Sequence, residues 1–244
     1  MFWLVLPLIG LLVVGCTAPT SVSVDDRDSV RPETTAKVPV NAVQTATVKL
    51  PDPNLKGETS LEEALYERRS VREFSTEPLT LAEVSQLLWA GQGKTSDWGG
   101  RTAPSAGATY PLETYLVAGT VEGLLPGVYR YDPEDHALVK TRDGDVRERL
   151  GAAALGQSWV KEAPVSIVVT AVYERTTGKY GDRGVVYVHM EAGHAAQNIC
   201  LQATALDLGA VTVGAFYDDQ VGDIVALPAG EFPLYVIPVG KKKN

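Results

Sequence analysis

Apolar positions recur at helical and strand spacing between about residue 60 and residue 240. Two helices are predicted at the start of this region, because Ser60 and Thr80 are each followed three positions later by a glutamate, the pattern of a capping box. The first helix is expected to end near Arg68. The second turns its valine and leucine side chains inward and is expected to stop at Gly91 and Gly93.

The rest of the region predicts strands and helices with no regular alternation and no visible repeat. Strands are predicted at 114–118, 127–131, 164–171, 210–216 and 232–239. Helices are predicted at 145–155, at 185–208 with Gly209 as its end, and at 219–227. This mixture favours an α+β fold, with a central and mostly antiparallel sheet flanked by helices.

The N-terminal stretch 1–15 is apolar and carries no charged side chain. It is short for a membrane-spanning helix, which takes roughly 20 residues. The run ends in small residues directly before Cys16, which is similar to a lipoprotein signal peptide, although a basic N-terminal region is missing. We therefore expect lipidation at Cys16, export, and a lipid anchor on the extracytoplasmic side of the membrane. A plain secretory signal and a buried N-terminal helix are the alternatives.

Residues 16–59 are predicted to be a flexible tether. Positions 17–59 contain no Phe, Trp or Tyr and are rich in Thr, Ser, Pro and Val, so they bury too little surface to offset the chain entropy lost on ordering. The alternative is an ordered arm, in the last part of this stretch, that wraps a partner subunit. The folded domain is then expected to occupy residues 60–244.

Composition limits the function classes open to this chain of 244 residues. Its formal net charge of −8 argues against general nucleic-acid binding, which needs a basic surface. Two cysteines are too few for a disulfide framework, and lipidation of Cys16 would leave Cys200 alone. Because the chain has only 3 histidines, no metal site is expected.

Two stretches imitate known motifs but fail on spacing. Residues 91–96 look like a phosphate-binding loop, yet Leu88 stands where that motif requires its first glycine. His189 and His194 look like a zinc-protease pair, but five positions place them about 140° apart around a helix. Neither stretch is expected to bind a nucleotide or a metal.

Candidate chemistry is concentrated in a short basic stretch. Arg68, Arg69 and Arg72 flank Ser70 directly after the first predicted helix. Guanidinium groups match phosphate oxygens with paired hydrogen bonds, and a hydroxyl adds another. The alternative, which this motif alone leaves equally open, is that the arginines complement the helix macrodipole.

Two further stretches offer small residues to a flat ligand. Residues 103–111 place serine, alanine and glycine between two prolines, which lets the backbone approach a ligand closely, unless this is an ordinary surface loop. The predicted strand end at 211–216 contains Gly214 and Ala215, where backbone amides could face a ring.

These stretches, in this order, resemble the nitroreductase-like FMN oxidoreductases over residues 60–240, essentially the whole folded domain. The resemblance implies an FMN cofactor and a homodimer in which the 104–111 loop reaches the flavin from the partner subunit. It implies that the long helix 185–208 is the dimerisation helix. It also implies these cofactor-binding residues: Arg68, Arg69, Ser70, Arg72, Pro104, Ser105, Ala106, Gly107, Gly214, Ala215 and Lys241.

Within this family, residues 179–198 are similar to the SagB-type dehydrogenases. Lys179 and Tyr180 match a catalytic pair of azoline-oxidising members, and either could exchange a proton while hydride passes to the flavin. The alternative is that the pair anchors a loop to the next helix.

The resemblance implies an oxidoreductase that moves hydride between a small-molecule or peptide substrate and flavin N5, with NAD(P)H or another electron donor or acceptor. An electron-relay lipoprotein without its own substrate turnover is the alternative function.

Overall fold

A computed structural model of the chain describes residues 47–243. In chain order the strands and helices are β1 (Thr47–Lys49), α1 (Leu61–Glu67), α2 (Leu81–Gln92), β2 (Leu112–Ala118), β3 (Gly127–Asp132), β4 (Ala137–Asp143), α3 (Arg147–Ala153), α4 (Ser158–Glu162), β5 (Val165–Ala171), α5 (Glu174–Tyr180), α6 (Arg183–Ala205), β6 (Leu208–Ala210), α7 (Asp218–Val225) and β7 (Phe232–Lys241). The strands form one 7-stranded sheet in the order β1-β4-β3-β2-β5-β7-β6. Every neighbouring pair is antiparallel, which confirms the predicted fold class.

Helices cover both faces of the sheet, and alternate residues of its central strands feed two apolar cores. On one face Leu116 and Ile167 pack with residues of α2 and α6. On the other face Tyr115 and Val168 pack with residues of α3, α4 and α7. Burial on both faces explains why β5 is apolar along its whole length.

Hydroxyl side chains open the first two helices as predicted. The Thr80 box is complete, because the Glu83 amide donates to Thr80 Oγ1 at 3.2 Å and the Thr80 amide donates to Glu83 Oε2 at 2.8 Å. The Ser60 box is half formed: the Glu63 amide donates to Ser60 Oγ at 3.1 Å. These caps fix where α1 and α2 begin.

The prediction that Gly209 ends the long helix is wrong. Helix α6 ends at Ala205, and the chain reverses through Asp207, whose φ of 55° lies in the left-handed region. Gly209 instead lies in β6, where a Cβ would come within 2.6 Å of Val71 Cγ1. The glycine therefore allows close packing of a neighbouring segment.

The predicted strand at 210–216 is also wrong. Only residues up to Ala210 pair continuously with β7, and beyond them a single bridge joins Val213 to Val236. Pro238 of β7 faces this stretch and has no N–H to donate, so the ladder is interrupted there. The interruption leaves the 214–216 backbone outside the sheet.

Four elements were missing from the sequence-based prediction: β1, β4, α4 and α5. Strand β1 falls within the segment predicted to be a tether, and the residues that follow it also pack on the domain. The Ser85 hydroxyl donates to the Pro51 carbonyl at 2.6 Å, and the Asn54 amide donates to Gln86 Oε1 at 2.8 Å. The folded part of the chain thus begins before residue 60.

The predicted signal peptide at 1–15, Cys16 and the rest of the tether up to residue 46 lie outside the described residues. Within residues 47–243, no helix has the length and apolar character needed to cross a bilayer.

Helices α5 and α6 approach closely at Gly184. A Cβ there would lie 2.8 Å from Thr177 Cα and 2.9 Å from Thr177 N, which are backbone atoms of α5. We expect Gly184→Ala to lower the free energy of unfolding by about 1–3 kcal/mol, measured by urea denaturation.

Gly178→Ala is the matched control on α5. Because a Cβ at Gly178 meets no atom within 4 Å, this variant is expected to gain about 0.5–1 kcal/mol from helix propensity. Equal effects of the two substitutions would contradict the close approach at Gly184.

Candidate active site

The arginine segment, residues 68–72, runs from the end of α1 along the edge strand β6. The Val71 amide donates to the Ala210 carbonyl at 3.0 Å, and Ser70 pairs with Ala210 in a parallel bridge. Farther along, the Ser75 amide donates to the Lys241 carbonyl at 3.0 Å. These backbone bonds place the arginines next to the chain that continues from Ala210 to Gly214.

The three guanidinium groups of this segment have different surroundings. Arg69 donates through Nη1 to the Tyr66 and Arg68 carbonyls, each at 2.8 Å, which is the helix-end role considered as an alternative. Arg72 lies over the Trp159 ring at 5.5 Å. Among residues 47–243, none of the three is ion-paired with a carboxylate. Their charges are thus available to an anion.

The exposed stretch at Gly214 and Ala215 lies beside the same helix, α4, that carries Trp159. Gln157, at the N-terminal end of α4, donates through Nε2 to the Ala215 carbonyl at 3.1 Å. A Cβ at Gly214 would meet only Tyr235, at 3.9 Å, so the space over this backbone is open. The arginine segment and the 214–215 backbone form the first group of predicted site residues that the structure brings together.

A second group joins the 104–111 loop to helix α5, which run side by side. Three hydrogen bonds join the loop to α5: Lys179 Nζ to the Gly107 carbonyl (3.2 Å), Thr109 Oγ1 with Thr176 Oγ1 (2.7 Å) and Arg175 Nη1 to the Tyr110 carbonyl (2.9 Å). Just before α5, the Val172 amide donates to the Pro111 carbonyl at 2.9 Å. The loop therefore positions the predicted catalytic pair, Lys179 and Tyr180.

Gly107 is the point of closest approach in this second group. Its φ is +61°, and a Cβ there would lie 2.4 Å from Tyr180 Oη and 2.6 Å from Lys179 Nζ. A side chain at this position would push both polar ends away from the loop backbone, and the positive φ also favours glycine. The Tyr180 ring packs edge-on against Tyr187 of α6, with ring centroids 5.2 Å apart.

Glu191 of α6 is a buried carboxyl beneath the same loop. Its residue surface is only 3% exposed, and neither carboxyl oxygen has a hydrogen-bond partner among residues 47–243. Burial raises the pKa of Glu191 to about 7, although Ser105, Arg101 and the Ala106 amide favour its charged form. This carboxyl can exchange a proton near neutral pH.

Lys241 does not offer a free charge to an anion, because its ammonium group is ion-paired with Glu83 in the first turn of α2. Burial opposes ionisation of Glu83, but the bonds from Lys241 and Thr80 hold its pKa below the ordinary value. A phosphate contact by Lys241 requires this pair to open, and that role stays a prediction.

Comparison with known proteins identifies the family. The nitroreductase family profile matches residues 65–241. The chain is 50% identical over 198 residues to the nitroreductase-like protein MJ1384 of Methanocaldococcus jannaschii, covering 81% of this chain and 98% of that protein. The chain belongs to the nitroreductase family. It is thus a nitroreductase-family oxidoreductase, and its SagB-type subgroup stays a prediction.

Solved structures share this nitroreductase fold. A nitroreductase-like protein of Anabaena variabilis superposes with a TM-score of 0.73 and 31% identity, covering 82% of this chain and 42% of that chain. The NADPH:FMN oxidoreductase of Vibrio harveyi, solved with NAD+, has a TM-score of 0.55 and 21% identity, covering 75% of this chain and 69% of that chain. At that identity the Vibrio protein shows the fold alone.

The residues present fit the FMN that is typical of nitroreductases. The donor set consists of guanidinium groups without carboxylate partners and the exposed Ser70 hydroxyl, which suit a phosphate. The open backbone at Gly214 suits a flat ring.

Three residues near these groups were not predicted as site residues from the sequence: Gln157, Trp159 and Glu191. Each depends on contacts between distant parts of the chain.

The two groups of site residues are separate within residues 47–243: no hydrogen bond, ion pair or ring contact joins them. Nitroreductase-fold proteins are commonly dimers, and α6 leaves Val185, Val186 and Met190 exposed. A site shared by two copies of a nitroreductase subunit would bring such groups together.

The two imitation motifs have structural roles in this nitroreductase fold. Lys94, in the loop-like stretch 91–96, is ion-paired with Glu134 at 2.7 Å. His189 bonds through Nε2 with the Tyr173 hydroxyl at 2.6 Å. Within the described part of the chain, no cluster of three or more His, Cys, Asp or Glu side chains could hold a metal.

Proposed function

We propose that the protein is an FMN-dependent oxidoreductase that transfers hydride between a small-molecule or peptide substrate and flavin N5. The observation that carries this proposal is the arginine segment, whose guanidinium groups have no carboxylate partner among the described residues and lie beside the open 214–215 backbone. Such a surface suits a phosphate joined to a planar ring.

Binding is assigned to the first group of residues. Arg68, Arg69, Ser70 and Arg72 would hold the phosphate and ribityl end, and the backbone at 214–215 would line the ring. When bound, FMN supplies the redox chemistry by accepting or donating hydride at N5. The chain contributes orientation and charge.

Proton exchange is assigned to the second group. Residues 104–107 would lie against the ring from the partner copy of a homodimer, and Lys179 or Tyr180 would give or take the proton that accompanies hydride transfer. The contact of both polar ends with Gly107 supports this assignment, since it fixes them against the loop. The same pair supports the SagB-type subgroup, and NAD(P)H or another donor or acceptor would exchange electrons with the flavin.

The test is titration of the purified full-length protein with FMN. After free flavin is removed by gel filtration, we expect the protein to stay yellow, with the oxidised flavin band at about 450 nm. A protein that is colourless after this step would contradict the proposal.

A second function, electron relay without substrate turnover, follows from the predicted export, because nicotinamide cofactors are expected to be scarce outside the cytoplasm. Anaerobic mixing of the flavin-loaded protein with NADPH, and then with a quinone or nitroaromatic acceptor, separates the two. Reduction followed by reoxidation supports the enzyme, whereas reduction by a protein donor alone supports the relay.

We also propose that the protein is exported and anchored through a lipid on Cys16. The support is the apolar stretch 1–15 that ends at this cysteine. Cys16→Ser is expected to move the protein from the membrane fraction to the released fraction, measured by fractionation and immunoblotting. Cys200→Ser is the control, and membrane association that survives Cys16→Ser would contradict the anchor.

A further inference from the structure

Glu191 has no role in the proposed chemistry, yet its carboxyl group is buried and has no hydrogen-bond partner among the described residues. It lies on the buried face of α6, with Val188, Ala192 and Ala195 as buried neighbours on the same helix. Both of its oxygens are out of contact with solvent and without a hydrogen-bond partner among residues 47–243. A buried carboxylate in this state is costly, so the observed arrangement suits the neutral acid.

The groups that would stabilise the charged form belong to the loop above it. The Ser105 hydroxyl and the Ala106 amide both act on the carboxyl, but neither makes a well-formed hydrogen bond to it. Ser105 Oγ accepts from the Tyr110 amide at 2.9 Å, so its own proton is free to be donated. If the loop moved toward α6, the Ser105 hydroxyl and the Ala106 amide would be the donors that face an ionised Glu191.

Few charged or titratable groups lie near the Glu191 carboxyl. Arg101, from the segment after α2, is the charged side chain that acts on Glu191, and its guanidinium lies 4.6 Å from the Tyr110 ring centre. Tyr187 and His194 lie one turn away on α6 itself. From α2, α5 and the sheet, no charged side chain of the described residues contributes to the pKa of this carboxyl.

We propose that Glu191 is a positioning residue: the charge on its carboxyl sets the position of the Ser105–Gly107 backbone against Lys179 and Tyr180. The neutral acid leaves the loop as the structure has it. The ionised form draws the Ser105 hydroxyl and the Ala106 amide inward, and Gly107 moves with them. Because Gly107 contacts both polar ends of the catalytic pair, the inference rests on the proposed function for its effect on chemistry.

Linkage gives the sign of the accompanying stability change. A carboxyl with a raised pKa keeps its proton in the folded chain over a range in which the unfolded chain has released it. The native state therefore loses stability as pH rises from the ordinary value of 4.5 to about 7. This loss is expected to be absent in Glu191→Gln, which is neutral at every pH.

The deciding experiment is amide hydrogen exchange of peptides covering 104–110 in the full-length protein at pH 6 and pH 8, corrected for intrinsic rates. In the native sequence we expect protection of the Ala106 amide to rise about tenfold at the higher pH, the order expected for one charge-assisted hydrogen bond. Glu191→Gln is expected to show no rise. Glu122→Gln, an exposed carboxylate replaced in the same way, is expected to keep it.

Two outcomes would overturn the inference: protection that does not change with pH in the native sequence, or the same change in Glu191→Gln. The first needs no variant, so a folding defect cannot obscure it. Titration of FMN into the same samples keeps the two proposals apart. If no FMN binds, the proposed function fails, but the exchange result still decides the role of Glu191.

Discussion

Lys179→Ala is expected to slow reoxidation of the reduced, flavin-loaded protein by a quinone by on the order of 10²-fold or more. A quinone takes up a proton together with hydride, and loss of a positioned acid removes about 10²–10⁴ from such a step. Lys179 is positioned for this role because its Nζ donates to the Gly107 carbonyl at 3.2 Å and lies 5.6 Å from the Tyr180 ring centre.

The measurement is anaerobic stopped-flow absorbance of the flavin. Reduction by NADPH transfers hydride without a proton, so its rate is expected to change little in the same variant. Tyr180→Phe keeps the ring packed on Tyr187 and removes only the hydroxyl, which decides which of the two groups exchanges the proton. Lys56→Ala, an exposed lysine elsewhere, is the control. Unchanged reoxidation in both Lys179→Ala and Tyr180→Phe would leave the pair with an anchoring role.

Combined replacement of Arg68 and Arg72 by alanine is expected to weaken FMN binding by about a hundredfold or more. Each hydrogen bond from a guanidinium to a phosphate contributes about 1.5–3 kcal/mol, or roughly tenfold or more in Kd. Arg69 is left in place because it bonds to the α1 carbonyls and its loss would alter the helix end.

Riboflavin, which lacks the phosphate, makes this prediction specific. The native protein is expected to prefer FMN strongly, and the double variant is expected to lose most of that preference while its affinity for riboflavin changes little. Flavin fluorescence quenching measures both. Arg149→Ala, an exposed arginine without an ion pair among the described residues, is the control. An unchanged ratio of FMN to riboflavin affinity would place the phosphate elsewhere.

Local patterns predicted the helices and strands that depend on local signals. The Thr80 cap and the apolar run of β5 were readable because each follows from neighbouring residues. Strand β1 was not predicted, since its pairing with β4 joins residues far apart in sequence. Strand β4 was also missed, although it pairs with its neighbour β3 in a local hairpin. Gly209 was predicted to end a helix, but in the structure its lack of a side chain makes room for Val71. That contact forms only when the chain folds.

The candidate site also divides into residues that local motifs predicted and residues that depend on contacts between distant parts of the chain. The arginine segment and the Lys179-Tyr180 pair are compact motifs, and the structure brings each next to a backbone stretch that was predicted with it. Glu191 lies within the stretch 179–198 that resembles the SagB-type dehydrogenases, but no role was predicted for it. Its importance comes from burial without partners, which depends on how the 104–107 loop packs over α6. No local pattern carries that information.

The strand order also determines how the domain responds to tension. The described chain enters the sheet at β1 on one edge, whereas the arginine segment lies along β6 on the opposite edge. At about 4.8 Å per strand spacing, the two edges are about 29 Å apart. A pull on the chain before residue 47 loads first the short pairing of β1 with β4. The β1–β4 pairing is therefore expected to break before the pairing of β6 with β7, beside which the arginine segment lies.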